Sequence, residues 1–283
     1  MNNTIENQLK YYADGIKRGA YLYHYTDLCS TIKILIYNTL LFGELYHMND
    51  LQESTRLVFG NDGCREAVRK YRQISLTSDY RRAGCKEPRK GFDILPMWAH
   101  YADKGTGVCL MLDANLIKKA CEEQGGSFGV VSYNRKYDNA ICFDTDDPDK
   151  ELQTKRMLNK VFFRKSTEWS YEQEFRIVKR FDSDSKKGFL SLYDAVKGVI
   201  IAQNSFGNSS LEGQNPAQSE AYRILNLIMG DIPIFLYGAD GGERSLNYCI
   251  CEEFGTTDYV WKMGKTGEDY YSSNKKCELV KDW

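Results

Sequence analysis

The sequence predicts a mixed α+β fold, with mainly antiparallel sheets and flanking helices. Three observations carry that expectation. Short β-favouring runs recur along most of the chain. The helical runs between them do not alternate strictly with strands, which is the pattern of an α+β chain. Composition is ordinary for a globular protein, with 42% hydrophobic and 27% charged residues, and 283 residues suffice for a sizeable core. We expect one domain over residues 1–283, with its core over about 20–240 and a C-terminal extension over 240–283.

Taken in order, residues 2–17 read as a short polar helix. Residues 20–25 alternate and carry tyrosines, so they read as a strand. Tyr21, Tyr23 and Tyr25 share one face; Leu22, His24 and Thr26 share the other. Asp27 is placed to cap a helix with apolar positions Leu28, Ile32, Leu35 and Ile36. A second strand follows over 38–43, then a loop, "HMNDLQES", and a weakly helical stretch over 55–71. Residues 72–78 are a strand, and the charged run 79–95 a loop. "PMWAHYADKGTGVCLMLD", residues 96–113, begins as a helical turn and becomes a strand over 106–113. Beyond it come a helix over 114–123, a strand over 129–136 and an acidic turn over 144–151. A helix of about 150–163, a strand over 170–180 and a buried strand over 196–202 follow. An Asn-, Ser- and Gly-rich loop spans 203–216, and an amphipathic helix spans 217–229 with Gly230 as its C-cap. "IPIFLYG" and "SLNYCICEEF" add further strands.

Charge and cysteine usage exclude some classes. A net charge of −1 and a pI near 6.4 leave no basic footprint for a tight, sequence-independent grip on nucleic acid. No run of 18 apolar residues is present, so no membrane span is expected. The opening residues, MNNTIENQLK, hold no apolar signal segment. Nine cysteines are scattered, and the one close pair, Cys249 and Cys251, lacks a second pair or a nearby histidine. That argues against structural zinc and for reduced thiols in the cytoplasm. Neither a phosphate-binding P-loop, a dinucleotide fingerprint, a nucleophile elbow nor an HExxH motif occurs.

Four clusters carry candidate chemistry. His24, Tyr25 and Thr26 stand where a strand meets a helix N-terminus, whose N–H groups suit polar or anionic ligand atoms; equally, His24 is a histidine satisfied in the core or at the surface. "WSYEQEFR", residues 169–176, places Glu172, Glu174 and Arg176 on one face of a strand, the two carboxylates about 7 Å apart. Paired carboxylates suit chemistry at a glycosidic carbon; the plainer alternative is a solvated strand face with a neutralising Arg–Glu pair. "MWAHYAD" packs Trp98, His100, Tyr101 and Asp103 into one turn, as a pocket wall for a planar ring or as an aromatic anchor. Asn49 and Asp50 suit an Asx-type turn.

"LYHYTDLCSTIKIL", "LFGELYHMNDLQE", "MWAHYADKGTGVCLMLD" and "EWSYEQEFRIV" occur in an order that resembles the DUF2971 family, bacterial proteins of unknown function. The resemblance runs from about residue 21 to 180. It departs from the family pattern in the loop Asn49–Glu53, which lacks a proline. The order of histidine strand, aromatic middle and E-x-E strand is also similar to the ADP-ribosyltransferase superfamily, and implies a fold of that kind. On that likeness NAD is the substrate. His24 holds a ribose, Tyr101 or Tyr25 stacks on nicotinamide, Glu174 is the catalytic glutamate and Glu172 positions the acceptor. Thr26, Trp98, Arg176, Asn49 and Asp50 complete the implied dinucleotide site. The expected activity is an ADP-ribosyltransferase or NAD glycohydrolase, acting as a toxin or anti-phage effector on a protein or nucleic-acid acceptor. Two alternatives stand beside it. One is a non-catalytic ligand-binding or sensor module on the same fold. The other is a nuclease using Asp50, Asp103, Glu172 and Glu174 with a divalent metal, although no tight metal site is expected.

Overall fold

The structure is a computed structural model. It describes residues 2–48, 58–59, 62–80, 89–134, 140–141, 150–181, 188–203, 228, 230–240, 243–249, 257–263 and 269–270. Its helices are α1 (Asn2–Arg18), α2 (Leu28–Tyr37), α3 (Asp62–Arg69), α4 (Leu95–Tyr101), α5 (Ala114–Glu123) and α6 (Lys150–Val161). The strands run β1 (Tyr21–Thr26), β2 (Thr39–Glu44), β3 (Val58–Phe59), β4 (Tyr71–Ser78), β5 (Val108–Asp113), β6 (Ser127–Val130), β7 (Ser132–Tyr133) and β8 (Ala140–Ile141). They continue as β9 (Arg164–Lys165), β10 (Glu174–Arg180), β11 (Gly188–Ser191), β12 (Val196–Gln203), β13 (Ile234–Asp240), β14 (Glu243–Cys249), β15 (Thr257–Met263) and β16 (Asp269–Tyr270). The chain is thus mixed α+β and mainly antiparallel, as expected. It divides into two compact units, one of residues 1–38, 78–115 and 193–283, the other of residues 39–77 and 116–192.

In the first unit the strands lie in the order β1, β5, β12, β13, β14, β15, β16. Neighbours are antiparallel except β12 and β13, which run parallel. β5 is the centre of this core: Val108 to Leu112 are fully buried, as are Val199, Ile200, Ile201 and Phe235. A continuous apolar run is what a strand covered on both faces requires. The first helix is less uniformly polar than its composition implied. Leu9, Ala13 and Ile16 form a buried stripe at helical spacing, and Tyr12 meets Phe235 edge-on at 5.2 Å.

β1 turns into α2 as anticipated. The Asp27 carboxylate accepts from the Ser30 N–H at 2.8 Å and from the Ser30 hydroxyl at 2.6 Å. The buried face of α2 is a correction: it is Leu28, Thr31 and Ile34, while Ile36 is 56% exposed. Thr31 is admitted because its hydroxyl donates to the Asp27 carbonyl at 3.0 Å. α4 lies against β1, and the chain then turns sharply through Asp103, Lys104 and Gly105, all at positive φ. Gly107 follows; a Cβ there would collide with the Thr26 carbonyl and the Ala102 backbone, so only glycine lets this turn close beside β1.

In the second unit the order is β11, β2, β4, β10, β6, antiparallel throughout. α3 and α6 supply Val68, Met157 and Val161 to a core with Leu45, Phe162 and Val178. Two expectations are corrected here. Residues 129–136 do not form one strand: β6 ends at Val130, and β7 pairs instead with β9 in a small parallel ladder. Nor do residues 170–180 form one strand. Thr167–Glu172 is a 3-10 turn, Gln173 is left-handed at φ 48°, and β10 starts at Glu174. The helix expected over 217–229 and the loop over 203–216 lie almost wholly outside the described residues, as does most of 240–283. Gly230 is described, at φ 56°, the left-handed conformation of a helix C-cap.

Candidate functional site

The E-x-E residues stand in the second unit, but not as one strand face. Glu172 ends the 3-10 turn and Glu174 opens β10, with the left-handed Gln173 between them. A strand's two-residue alternation therefore does not relate them; the turn does. The solvated alternative is also overturned, since Glu172 and Glu174 are each 3% exposed and Arg176 is fully buried.

Burying three charges requires partners, and the fold supplies them. Arg176 follows Glu174 by two positions on β10 and grips it with two prongs, Nε to Oε1 at 2.6 Å and NH2 to Oε2 at 2.7 Å. Its NH1 donates to the Phe162 carbonyl at 2.8 Å. Lys165 reaches the Glu172 carboxylate at 2.6 Å and lies 3.7 Å from Glu174. Across the small ladder from Lys165, Tyr133 accepts the backbone N–H of Glu174 at 2.8 Å through its hydroxyl oxygen. The Trp169 ring lies 4.8 Å from the Lys165 ammonium and 6.1 Å from the Tyr171 ring. Burial pushes the Glu174 carboxyl up, but the charge and hydrogen bonds of Arg176, the Lys165 charge and a Ser75 hydrogen bond outweigh it. Glu174 is accordingly held below the usual carboxylate range. Burial and the Glu174 charge push the Tyr133 hydroxyl far up, so it stays protonated.

His24, Tyr25, Thr26, Trp98 and Tyr101 belong to the first unit. Tyr25 and Trp98 are brought together there, edge-on at 5.2 Å, but inside the core. The Tyr25 hydroxyl donates to the Gly91 carbonyl at 2.7 Å, and Trp98 Nε1 to the Phe92 carbonyl at 2.8 Å. Trp98 also stacks on Tyr237, with centroids 5.5 Å apart and planes 4° from parallel. His24 and Thr26 are half-buried on β1, opposite Leu110 and Val108, and Tyr101 is half-buried at the end of α4. At the helix start beside them the expected Asp27 cap is in place, its carboxylate accepting from the Ser30 N–H. Burial raises the Asp27 carboxyl, but hydrogen bonds from Ser30 and the neighbouring backbone bring it below its ordinary value. Asn49 and Asp50 lie outside the described residues.

The residues 79–95, read as a charged loop, hold a second buried network over their described part. Lys90, Phe92, Asp93 and Ile94 are buried. Lys90 bonds the Ile16 carbonyl at 2.8 Å and Asp79 at 3.1 Å. Asp93 accepts from the Tyr237 hydroxyl at 2.6 Å and from Arg244 at 2.9 and 3.0 Å. Burial nevertheless sets the Asp93 carboxyl above the usual range. Sequence reasoning missed Lys165, Tyr133, Asp93, Tyr237 and Arg244 as members of charged clusters. Only Asp93 had a local signal, the apolar Phe92 and Ile94 on either side of it. Among the described residues, no group of three or more His, Cys, Asp or Glu side chains is placed to hold a metal ion, and no helix is long and apolar enough to cross a membrane.

Residues 97–177 match the model of a family described as "Protein of unknown function (DUF2971)", in support of the resemblance carried by the sequence motifs. The matched segment contains Trp98, Tyr101, Lys165, Glu172, Glu174 and Arg176. No curated protein and no solved structure matches the chain.

Proposed function

We propose that this chain is an ADP-ribosyltransferase-like enzyme that consumes NAD, with Glu174 as its catalytic glutamate and Glu172 beside the acceptor. The observation that carries this reading is a buried carboxylate at the entry of β10, gripped by Arg176 with Lys165 nearby, and a second buried carboxylate two residues before it at the end of the 3-10 turn. As the C1′–N bond breaks, its electron pair leaves with neutral nicotinamide and positive charge develops on the ribose. A preorganised anion lowers that barrier. The acceptor oxygen or nitrogen, or water, then bonds C1′ and gives up its proton to solvent. The reading requires one oxygen of Glu174 to exchange an Arg176 contact for a ribose hydroxyl. Action as a toxin or anti-phage effector in the cytoplasm belongs to the same reading.

A second reading, a non-catalytic binding module, is favoured by the two-pronged, buried Glu174–Arg176 pair, which is also the form of a purely structural contact. Incubation with NAD separates the two. The enzyme reading expects nicotinamide release, reduced at least a hundredfold in Glu174→Gln. A thermal shift with NAD but no release supports the binding module. Neither release nor shift sinks both.

A further inference from the structure

We infer that Lys165 is the positioning residue of the paired carboxylates, its ammonium tying Glu172 and Glu174 into one ionised unit; this rests on the reading of Glu174 as the functional carboxylate. Arg176 is already committed to both oxygens of Glu174 and to the Phe162 carbonyl. Lys165 contacts both carboxylates, at 2.6 Å and 3.7 Å. Two carboxylates this close in a dry interior force one to take a proton unless cations balance them. The Lys165 side chain is only 6% exposed, with the Trp169 ring 4.8 Å from its ammonium as a further hold on its charge. Its backbone is fixed by pairing with Tyr133, the same residue that accepts the Glu174 N–H. Lys165 and the entry of β10 are therefore set in place by one small ladder.

The titratable and charged groups around the two carboxylates come from several elements. Lys165 stands on β9, Arg176 on β10, Tyr133 on β7, and Tyr171 and Glu172 on the 3-10 turn. Ser75 adds a hydroxyl from β4. Removing the ammonium leaves two buried carboxylates to share Arg176. Glu174 then takes up a proton at higher pH, and its readiness at neutral pH falls.

The test is a carbon-13 titration of the glutamate carboxyls, with Glu174 assigned through Glu174→Gln. In Lys165→Met the Glu174 midpoint moves to higher pH than in the unmodified protein, and in Lys165→Arg it stays near the original. The same midpoint with and without the lysine overturns the inference. Should Lys165→Met fail to fold, nitrogen-15 spectra of the unmodified protein decide. A slowly exchanging Lys165 ammonium signal with contacts to both glutamates supports the inference, and one exchanging as fast as surface lysines overturns it. None of these readouts needs turnover, so absence of nicotinamide release sinks the enzyme reading alone. With turnover, Lys165→Met lowers kcat at least tenfold, leaves KM within about twofold, and moves the acid limb of the pH–rate profile upward. An unmoved acid limb overturns the positioning role.

Discussion

Arg176 shows how much a single buried charge depends on its partner. Its guanidinium and the Glu174 carboxylate are each desolvated, and neither is stable there alone. Arg176→Leu takes the two-pronged cation from Glu174 and leaves the more distant Lys165 ammonium to balance it. The expected loss is about 3–5 kcal/mol in urea unfolding, the usual cost of stranding a buried charge. The double change Glu174→Leu with Arg176→Leu is expected to lose less than Arg176→Leu by itself, because no charge is left unpaired. Equal or greater loss in the double variant would mean that packing, not charge balance, sets the stability of this site. The same comparison bears on function, since a pair that tolerates replacement by apolar residues is not needed for folding.

α2 and the turn before β10 illustrate opposite limits of local coding at the element scale. Asp27, at the junction of the histidine strand and its helix, satisfies orphan N–H groups with its own carboxylate, and three residues of sequence suffice to specify that. Asp27→Ala is expected to cost about 1 kcal/mol, and Asp27→Ser to recover most of it, both read from thermal unfolding. The turn Thr167–Glu172 has no such local signature. "SYEQEFRIVKR" alternates as a strand would, yet Gln173 adopts the left-handed conformation and its side-chain amide donates to the Ser170 carbonyl, ending the turn. The alternation held for Glu174 onward and failed before it. Tyr133 and Lys165, which anchor the junction, are 41 and 7 or more positions away from the glutamates they meet, beyond the reach of a periodicity argument.

Across the whole molecule, a buried acid in each unit is shifted from its ordinary value, Glu174 in one and Asp93 in the other, and the two respond oppositely to pH. Glu174 in the second unit is held below its unfolded value. Its contribution is present above the ordinary glutamate range and is lost as pH falls through its folded pKa. Asp93 in the first unit sits above its unfolded value. Its contribution is fully present below the ordinary aspartate range and weakens as pH rises through its folded pKa. On acidification from pH 7 to about pH 3, the amides of β10 are expected to lose hydrogen-exchange protection, corrected for intrinsic rates, before those of β5. Earlier loss in β5 would contradict this ordering.

By itself the sequence determined the α+β class, the mainly antiparallel character, most strand and helix positions, the Asp27 cap and the motif order. Those features follow from neighbours within a few residues: alternation, helical spacing, side chains that bond nearby backbone. It also named the glutamates of the candidate site. Tertiary structure alone decided that these glutamates are buried rather than solvated, that Lys165 and Tyr133 join them, and that Tyr25 and Trp98 pack in a core. It likewise decided that Asp93 meets Arg244 from 151 positions away. The physical reason is shared by all of these. Whether a charged side chain stays in water or is enclosed depends on what the rest of the chain brings against it, and a buried charge persists only where a distant segment arrives with the opposite sign or a hydrogen bond.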